Sequence, residues 1–189
     1  MVINRLLLRF ILLFTMALAA RAQSDFHAYL GSEDLIEGGR VEKLTVVTSN
    51  LLFNIRPPRG WTRQVNEAGQ KIIFTAPSGK SAITVQFTGN SPGKLPDADT
   101  LRAQALAAHP GAGFIQSGIA PTGYKPGLFF DLARMPAPGV VQKLRHVYLP
   151  QPAGEVEFIL AASGDEFEQK KQVLISTLRG FRVQAEKPK

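Results

Sequence analysis

The sequence predicts an α+β fold in which an antiparallel β-sheet is flanked by helices. Short runs of alternating apolar side chains recur from Lys43 to Val183 and are separated by turns rich in proline and glycine, as in antiparallel strands. Two stretches break this alternation, an alanine-rich run at 97–109 and an apolar stripe with helical spacing at 163–180. We therefore expect a single α+β domain over residues 43–184.

The first 22 residues have the features of a secretory signal peptide. Arg5 and Arg9 supply a positive head, an apolar run follows from Phe10 to Ala20, and Ala20 and Ala22 occupy the small-residue positions that signal peptidase recognises. An uncleaved anchor is the alternative, but a membrane span needs about 20 apolar residues and this run is bounded by arginines. We expect cleavage after Ala22, so that the mature chain is periplasmic or secreted and has no stable membrane anchor.

Composition argues against several classes of protein. The formal charge of +7 falls by three, to +4, once Arg5, Arg9 and Arg21 leave with the signal peptide, and the remaining basic residues are scattered among acidic ones. Without a run of about five or six like charges, we expect no nucleic-acid partner. The chain has no cysteine, so neither a disulfide framework nor a lipid anchor on a cysteine is expected.

The N-terminal part of the mature chain is expected to be a loosely ordered arm over residues 23–42, because it is polar and interrupted by glycines. β-like patterns begin after it, with strands predicted at Leu44–Thr48, Leu51–Arg56 and Trp61–Val65. Two further runs follow, KIIFTAP and SAITVQFTG. The turn APSGKS between them predicts an antiparallel hairpin.

An alanine-rich helix is predicted at 97–109, with Asp97 or Asp99 as its N-cap and Pro110 as its stop. Its apolar stripe consists of Leu101, Ala105 and Ala108. Small side chains there allow either tight packing on a sheet or a cavity. Four more β-like runs come after this helix: GFIQSGIA, GLFFDLARM, VVQKLRHVYLP and EVEFILAAS.

The last helix is predicted to begin at Ser163, which with Glu166 has the spacing of a capping box, and to end at Gly180. One face of it carries Phe167, Lys171, Leu174 and Leu178, with the lysine lying along the apolar surface. Phe181 begins a short final strand. Residues 185–189 are expected to form a disordered tail.

Several of these motifs together resemble the PsbP/DcrB-like α/β/α sandwich family. They are the corner Pro58-Arg59-Gly60-Trp61 after the strand LLFNI, the strand VEFILAAS before the last helix, and TLRGFRV at its end. The resemblance extends from about Leu44 to Val183. The family includes a photosystem extrinsic subunit, small bacterial envelope proteins and a Ran-binding nuclear-import factor. The resemblance therefore implies a PsbP-like α/β/α sandwich with a role in binding or assembly, and it implies no catalytic residue.

The sequence predicts no catalytic, cofactor or metal site. None of the three histidines accompanies a nucleophile motif. His109 is expected as a cation at a helix C-terminus, and His146 as a packed or half-buried side chain. Glu155 and Glu157 are assigned to the solvent face of a strand. We therefore expect a protein without enzymatic activity.

The stretch FNIRPPRGW concentrates basic and aromatic side chains in one corner. Its proline pair ends a strand, and Gly60 permits a turn that brings Trp61 over the sheet edge. In this structural interpretation the arginines are simply solvated. The alternative is a contact surface, since arginine and tryptophan are enriched at interface hot spots, and its candidate residues are Arg56, Arg59, Trp61 and Arg63.

These observations favour an exported, non-enzymatic binding or assembly-assisting module that acts on a protein or an envelope component. A second hypothesis is a carrier of a small apolar or anionic ligand, held between the sheet and the alanine-rich helix. A hydrolase is the third hypothesis. No cofactor is expected for the first of these functions.

The intact mass of the exported protein tests the processing prediction. We expect a chain that begins at Gln23, because Ala20 and Ala22 occupy the positions that the peptidase recognises. A mass that still includes Met1 to Ala22 would contradict this expectation and would indicate an uncleaved anchor.

Overall fold

The computed structural model describes residues 26–34, 38–48, 51–88, 94–152 and 154–185. Within these ranges the chain forms eleven strands and two helices. The predicted signal peptide and residues 186–189 of the predicted tail lie outside the described residues. Neither described helix has the length and apolarity that a bilayer-crossing helix needs.

A four-stranded antiparallel sheet contains the first three strands and the last one. These strands are β1 (His27–Asp34), β2 (Arg40–Thr48), β3 (Leu51–Ile55) and β11 (Arg182–Ala185), in the spatial order β1-β2-β3-β11. The last strand therefore lies beside β3 and joins both ends of the described chain in one sheet.

The structure differs from the sequence expectation at the N-terminal arm, because residues 27–34 form β1 and pair along their whole length with β2. Most side chains of β1 are exposed, so this segment lacks the apolar alternation from which strands are predicted. Pairing with the backbone of β2 holds it in place instead. β11 also extends to Ala185, the first residue of the predicted tail.

A seven-stranded antiparallel sheet forms the centre of the fold. Its strands are β4 (Thr62–Asn66), β5 (Lys71–Thr75), β6 (Ser81–Thr88), β7 (Gly113–Ala120), β8 (Gly127–Ala137), β9 (Val140–Gln151) and β10 (Gly154–Ser163). Their spatial order is β4-β5-β6-β10-β9-β8-β7. The predicted hairpin of β5 and β6 is confirmed, and so are the four β-like runs after the first helix.

Packed elements lie on both faces of this seven-stranded sheet. One face packs against the four-stranded sheet and against α2 (Phe167–Gly180), and the core there includes Phe53, Phe158, Leu174 and Phe181. The other face packs against α1 (Ala98–Ala107). The predicted fold class, α+β with an antiparallel sheet flanked by helices, is therefore confirmed.

The alanine-rich helix α1 lies directly on the sheet. Leu101 is fully buried against Phe130 and Tyr148, and Ala105 is fully buried against Leu132 and Leu144. Of the two arrangements that small side chains allow, the structure shows tight packing.

The two helices begin in different ways. Asp97 caps α1 as predicted, because its carboxylate accepts hydrogen bonds from the Thr100 backbone N–H (2.9 Å) and hydroxyl (2.8 Å), and these bonds lower the pKa of Asp97. The predicted capping box of α2 is wrong. Ser163 pairs with β9 as the last residue of β10, and the Glu166 carboxylate accepts a hydrogen bond from the Ser81 hydroxyl (2.8 Å) instead of capping the helix.

A buried ion pair joins β8 to β9 on the face that carries α2. Asp131 and Arg145 are directly opposite each other, and the guanidinium donates to both carboxylate oxygens over 2.6 and 2.7 Å. Gln116 of β7 donates a further hydrogen bond to Asp131 (2.7 Å), and the Phe129 ring lies 4.1 Å from the guanidinium carbon. Three neighbouring strands are therefore connected through side chains as well as through backbone pairing.

Removing one partner of this ion pair should destabilise the fold strongly. We expect Arg145→Met to lower the free energy of unfolding by about 3–5 kcal/mol, because it leaves the Asp131 carboxylate buried without its cation. Denaturant titration measures this loss. The double variant Arg145→Met with Asp131→Leu is the control and should recover most of the stability. A single variant within about 1 kcal/mol of the parent would contradict this role.

Candidate functional site

The corner at FNIRPPRGW forms a tight turn. The Trp61 N–H donates to the Pro58 carbonyl over 3.2 Å, and Gly60 has a φ of 76°, a conformation that glycine adopts without strain. Trp61 is half-buried against the main core, and the Lys170 ammonium of α2 lies 6.0 Å from the centre of its ring. The turn therefore places Trp61 beside α2.

A groove of about 850 Å³ lies between this corner and the second half of α2. We call it the arginine groove, and its lining includes Arg40, Arg56, Arg59, Trp61, Ser176 and Arg179 together with one carboxylate, Glu42. Three of the four candidate contact residues lie together there, whereas Arg63 lies on the edge strand β4 and does not line the groove. Sequence analysis missed Arg40 and Arg179, because only the packing of α2 beside β2 and β3 brings them to the corner.

The guanidinium groups of the groove differ in how far they are neutralised. Arg56 forms an ion pair with Glu33 (3.2 Å) and Arg40 forms one with Asp34 (3.4 Å), so β1 supplies a carboxylate to each. Arg59 and Arg179 have no acidic partner within the described part of the chain, and both are exposed. The free positive charge of the groove therefore comes from these two side chains, next to Trp61, and the exposed Glu42 carboxylate in the lining opposes it in part.

Close packing holds the end of α2 against the corner. A methyl group in place of the Gly180 hydrogen would lie 3.1 Å from the Arg56 Cβ, so only glycine allows this approach without adjustment. The Arg182 guanidinium donates to the Arg179 carbonyl over 2.6 Å and to the Phe181 carbonyl over 2.9 Å. These bonds satisfy carbonyl groups at the end of the helix from which Arg179 projects.

A second group of polar side chains lies on the sheet face that α1 covers. His146 is fully buried, and its Nδ1 lies 2.6 Å from the Glu157 carboxylate, across from β9 to β10. The His109 ring meets the His146 ring edge to face, with 4.9 Å between the centroids. The prediction of a packed His146 is confirmed. The assignment of Glu157 to a solvent face is wrong, because its side chain is only 16% exposed and its carboxylate contacts the buried His146 ring.

Burial changes the protonation of this polar cluster. It lowers the pKa of His109, and the charges of His146 and Arg134 act in the same direction while Glu157 opposes them. The structure thus favours neutral His109 and contradicts the expectation of a cation at the helix end. Burial also raises the pKa of Glu155, and the negative charge of the Glu157 carboxylate raises it further.

The arrangement of His146 and Glu157 places a base next to a carboxylate, as in many catalytic sites. However, no side-chain atom of His146 reaches solvent, and α1 packs over the sheet beside it. Among the described residues, no three histidine, aspartate or glutamate side chains are placed to share a metal ion. The geometry suits a structural group that fixes α1 on the sheet.

No protein-family model matches this sequence, and no curated protein matches it. Solved structures do match. The chain is similar in fold to LpqN of Mycobacterium tuberculosis, described as involved in cell envelope biogenesis, with 11% identity over 84% of this chain and 92% of that chain and a TM-score of 0.48. It is also similar to the Saccharomyces cerevisiae Ran-binding protein Mog1p, with 12% identity over 82% of this chain and 96% of that chain and a TM-score of 0.46.

A third similar structure is cyanobacterial PsbP (CyanoP) from Synechocystis, with 12% identity over 88% of this chain and 96% of that chain and a TM-score of 0.44. PsbP, a member of the family that the sequence motifs resemble, is thus among the solved structures that match in fold. At this level of identity the match assigns no activity or partner to the chain.

The protonation of His109 predicts how stability depends on pH. Because its pKa lies below the ordinary value of 6.5, the unfolded chain takes up this proton before the folded chain does. The contribution of the neutral His109 to the free energy of unfolding is therefore complete above about pH 6.5 and is lost as the pH falls. We expect His109→Gln to reduce the loss of unfolding free energy between about pH 7.5 and about pH 5.5, measured by denaturant titration.

The control for this pH experiment is His27→Gln on the exposed strand β1, which should keep the pH dependence of the parent. Glu155 acts in the opposite direction, because its raised pKa makes the folded chain take up a proton first on acidification. Both the parent and His109→Gln contain Glu155, so the difference between their pH profiles measures the contribution of His109. Identical pH profiles for the parent and His109→Gln would contradict the assignment.

Proposed function

We propose that this chain is an exported, non-enzymatic binding module that contacts an acidic partner, a protein or an envelope component, through the arginine groove. One observation carries the proposal. Arg59 and Arg179, far apart in the sequence, lie in the same groove beside a half-buried tryptophan and have no carboxylate partner within the described residues.

The chemistry of the groove suits carboxylate groups. A guanidinium presents a planar fork of donors that matches the two oxygens of a carboxylate, and both free guanidiniums are on exposed side chains. Trp61 adds a ring against which the stem of an acidic side chain can pack. The groove is open to solvent, so the attraction is screened by salt, and association should weaken as ionic strength rises.

The other two functional hypotheses have less support. A ligand carrier would need space between the sheet and α1, and Leu101 and Ala105 fill that space along the middle of the helix. An open pocket of about 800 Å³ lies at the start of α1, where its lining includes Asp97, Leu128 and Pro150. A hydrolase would need a substrate to reach His146, which is fully enclosed. The arginine groove differs from the pocket at the start of α1 because its lining combines two unpaired guanidinium groups with an aromatic ring.

Binding of an acidic probe tests the proposal. Poly-L-glutamate should bind the native chain, with poly-L-lysine as the negative control. The double variant Arg59→Gln with Arg179→Gln should weaken binding about tenfold, since two partly exposed charge pairs of about 0.7 kcal/mol each are lost. Calorimetric titration at low ionic strength measures the change, and a pull-down from the exported fraction of the host cells tests the natural partner in parallel.

The matched control removes two positive charges outside the groove, with Arg63→Gln and Lys94→Gln. This variant has the same net charge as the groove variant and should bind almost as the parent does. Equal weakening in both double variants would contradict the proposal, because it would show a response to net charge alone. Melting curves of both variants should match the parent, since these are exposed side chains.

A further inference from the structure

β7 is an edge strand without charge. It ends the seven-stranded order, so its outer edge pairs with no strand among the described residues. Its sequence, GFIQSGIA, contains no ionisable side chain. The other edge strands all carry charge, at Glu33 and Asp34 of β1, Arg63 of β4 and Arg182 of β11. Charged side chains keep strand edges from associating, and β7 has none of its own.

Large apolar side chains are exposed along the same strand. Phe114 is 42% exposed, Ile115 is 48% exposed and Ile119 is 71% exposed. Ile115 is also the extra residue of a β-bulge and has no counterpart on β8. Residues of these types are usually buried, and an open strand edge beside them offers backbone donors and acceptors to another strand.

We propose that β7 is the surface through which two copies of this chain associate, as antiparallel edge strands of one continuous sheet. Such a contact is isologous, so the strand must be complementary to itself. A two-fold axis at Ser117 places Ile119 of one copy opposite Ile115 of the other. The two isoleucines thus form an apolar pair, Gly118 lies opposite Gln116, and no like charges on the two strands face each other.

This dimer leaves the arginine groove open. No residue of β7 lines the groove, although the loop after β7 reaches the end of α2, where the Gly123 N–H donates to the Leu178 carbonyl over 2.9 Å. The proposed association is therefore independent of the proposed acidic partner. Each copy of the dimer would present one groove, and failure of either proposal would not affect the other.

Sedimentation of the native chain, purified without a tag from its own host, tests the association over a range of concentrations. We expect a reversible dimer. Ile119→Lys should raise the dimer dissociation constant by about 100-fold, because it removes one buried isoleucine from each copy. Ile115→Lys is a second variant with the same expected effect. The control Gln64→Lys adds the same charge to the exposed edge strand β4 and should leave the dissociation constant unchanged.

Two results would overturn this proposal. The first is a native chain that is monomeric at every concentration. That result would exclude self-association, even if a strand of another protein were found on β7. The second is a dimer that remains intact in both Ile119→Lys and Ile115→Lys. That result would show that the interface lies elsewhere on the chain. Circular dichroism of each variant must match the parent, and the exposure of both isoleucines in the single chain makes this the expected result.

Discussion

The middle of the strand β9 has solvent on neither face, and this constraint determines how the polar side chains there must be paired. Its residues 144–149 are all buried, although an antiparallel sheet commonly keeps one wet face. Arg145 points to the face covered by α2, and His146 to the face covered by α1. Each polar side chain therefore needs a partner inside the fold. Asp131 of β8 supplies one and Glu157 of β10 supplies the other, so two neighbouring strands are tied to β9 from opposite faces.

This constraint separates structural charges from charges that are available for binding. The buried pairs are inaccessible to a partner, and breaking them would leave unpaired polar groups in the core. Arg59 and Arg179 instead remain free at the surface. α2 connects the two regions, because its apolar face, with Leu174 and Leu178, packs in the main core while Arg179 reaches the groove. A stable core thus fixes the position of a residue proposed to bind.

Local patterns were enough to predict most strands, both helices, the Asp97 cap and the turn at Gly60, since alternation, helical spacing and turn chemistry act over a few residues. Features that depend on neighbouring strands were missed. The exposed β1 has no apolar alternation of its own, and Glu157 looks solvent-facing until the pairing of β10 with β9 brings the buried His146 beside it. Ser163 was assigned to a helix cap because its pairing with β9 is not visible in its own segment. Arg179 could join the corner only once α2 was packed beside β3.

Hydrogen–deuterium exchange of the native chain, alone and with saturating poly-L-glutamate, tests the division between buried and available charges most directly. The account predicts slower exchange on binding at residues 56–61 and in the last turns of α2, where the groove lies. It also predicts that β9 exchanges slowly in both states, because its backbone is paired on both sides and its side chains are buried. Protection that appears on α1 and β10 while the groove is unchanged would contradict the account.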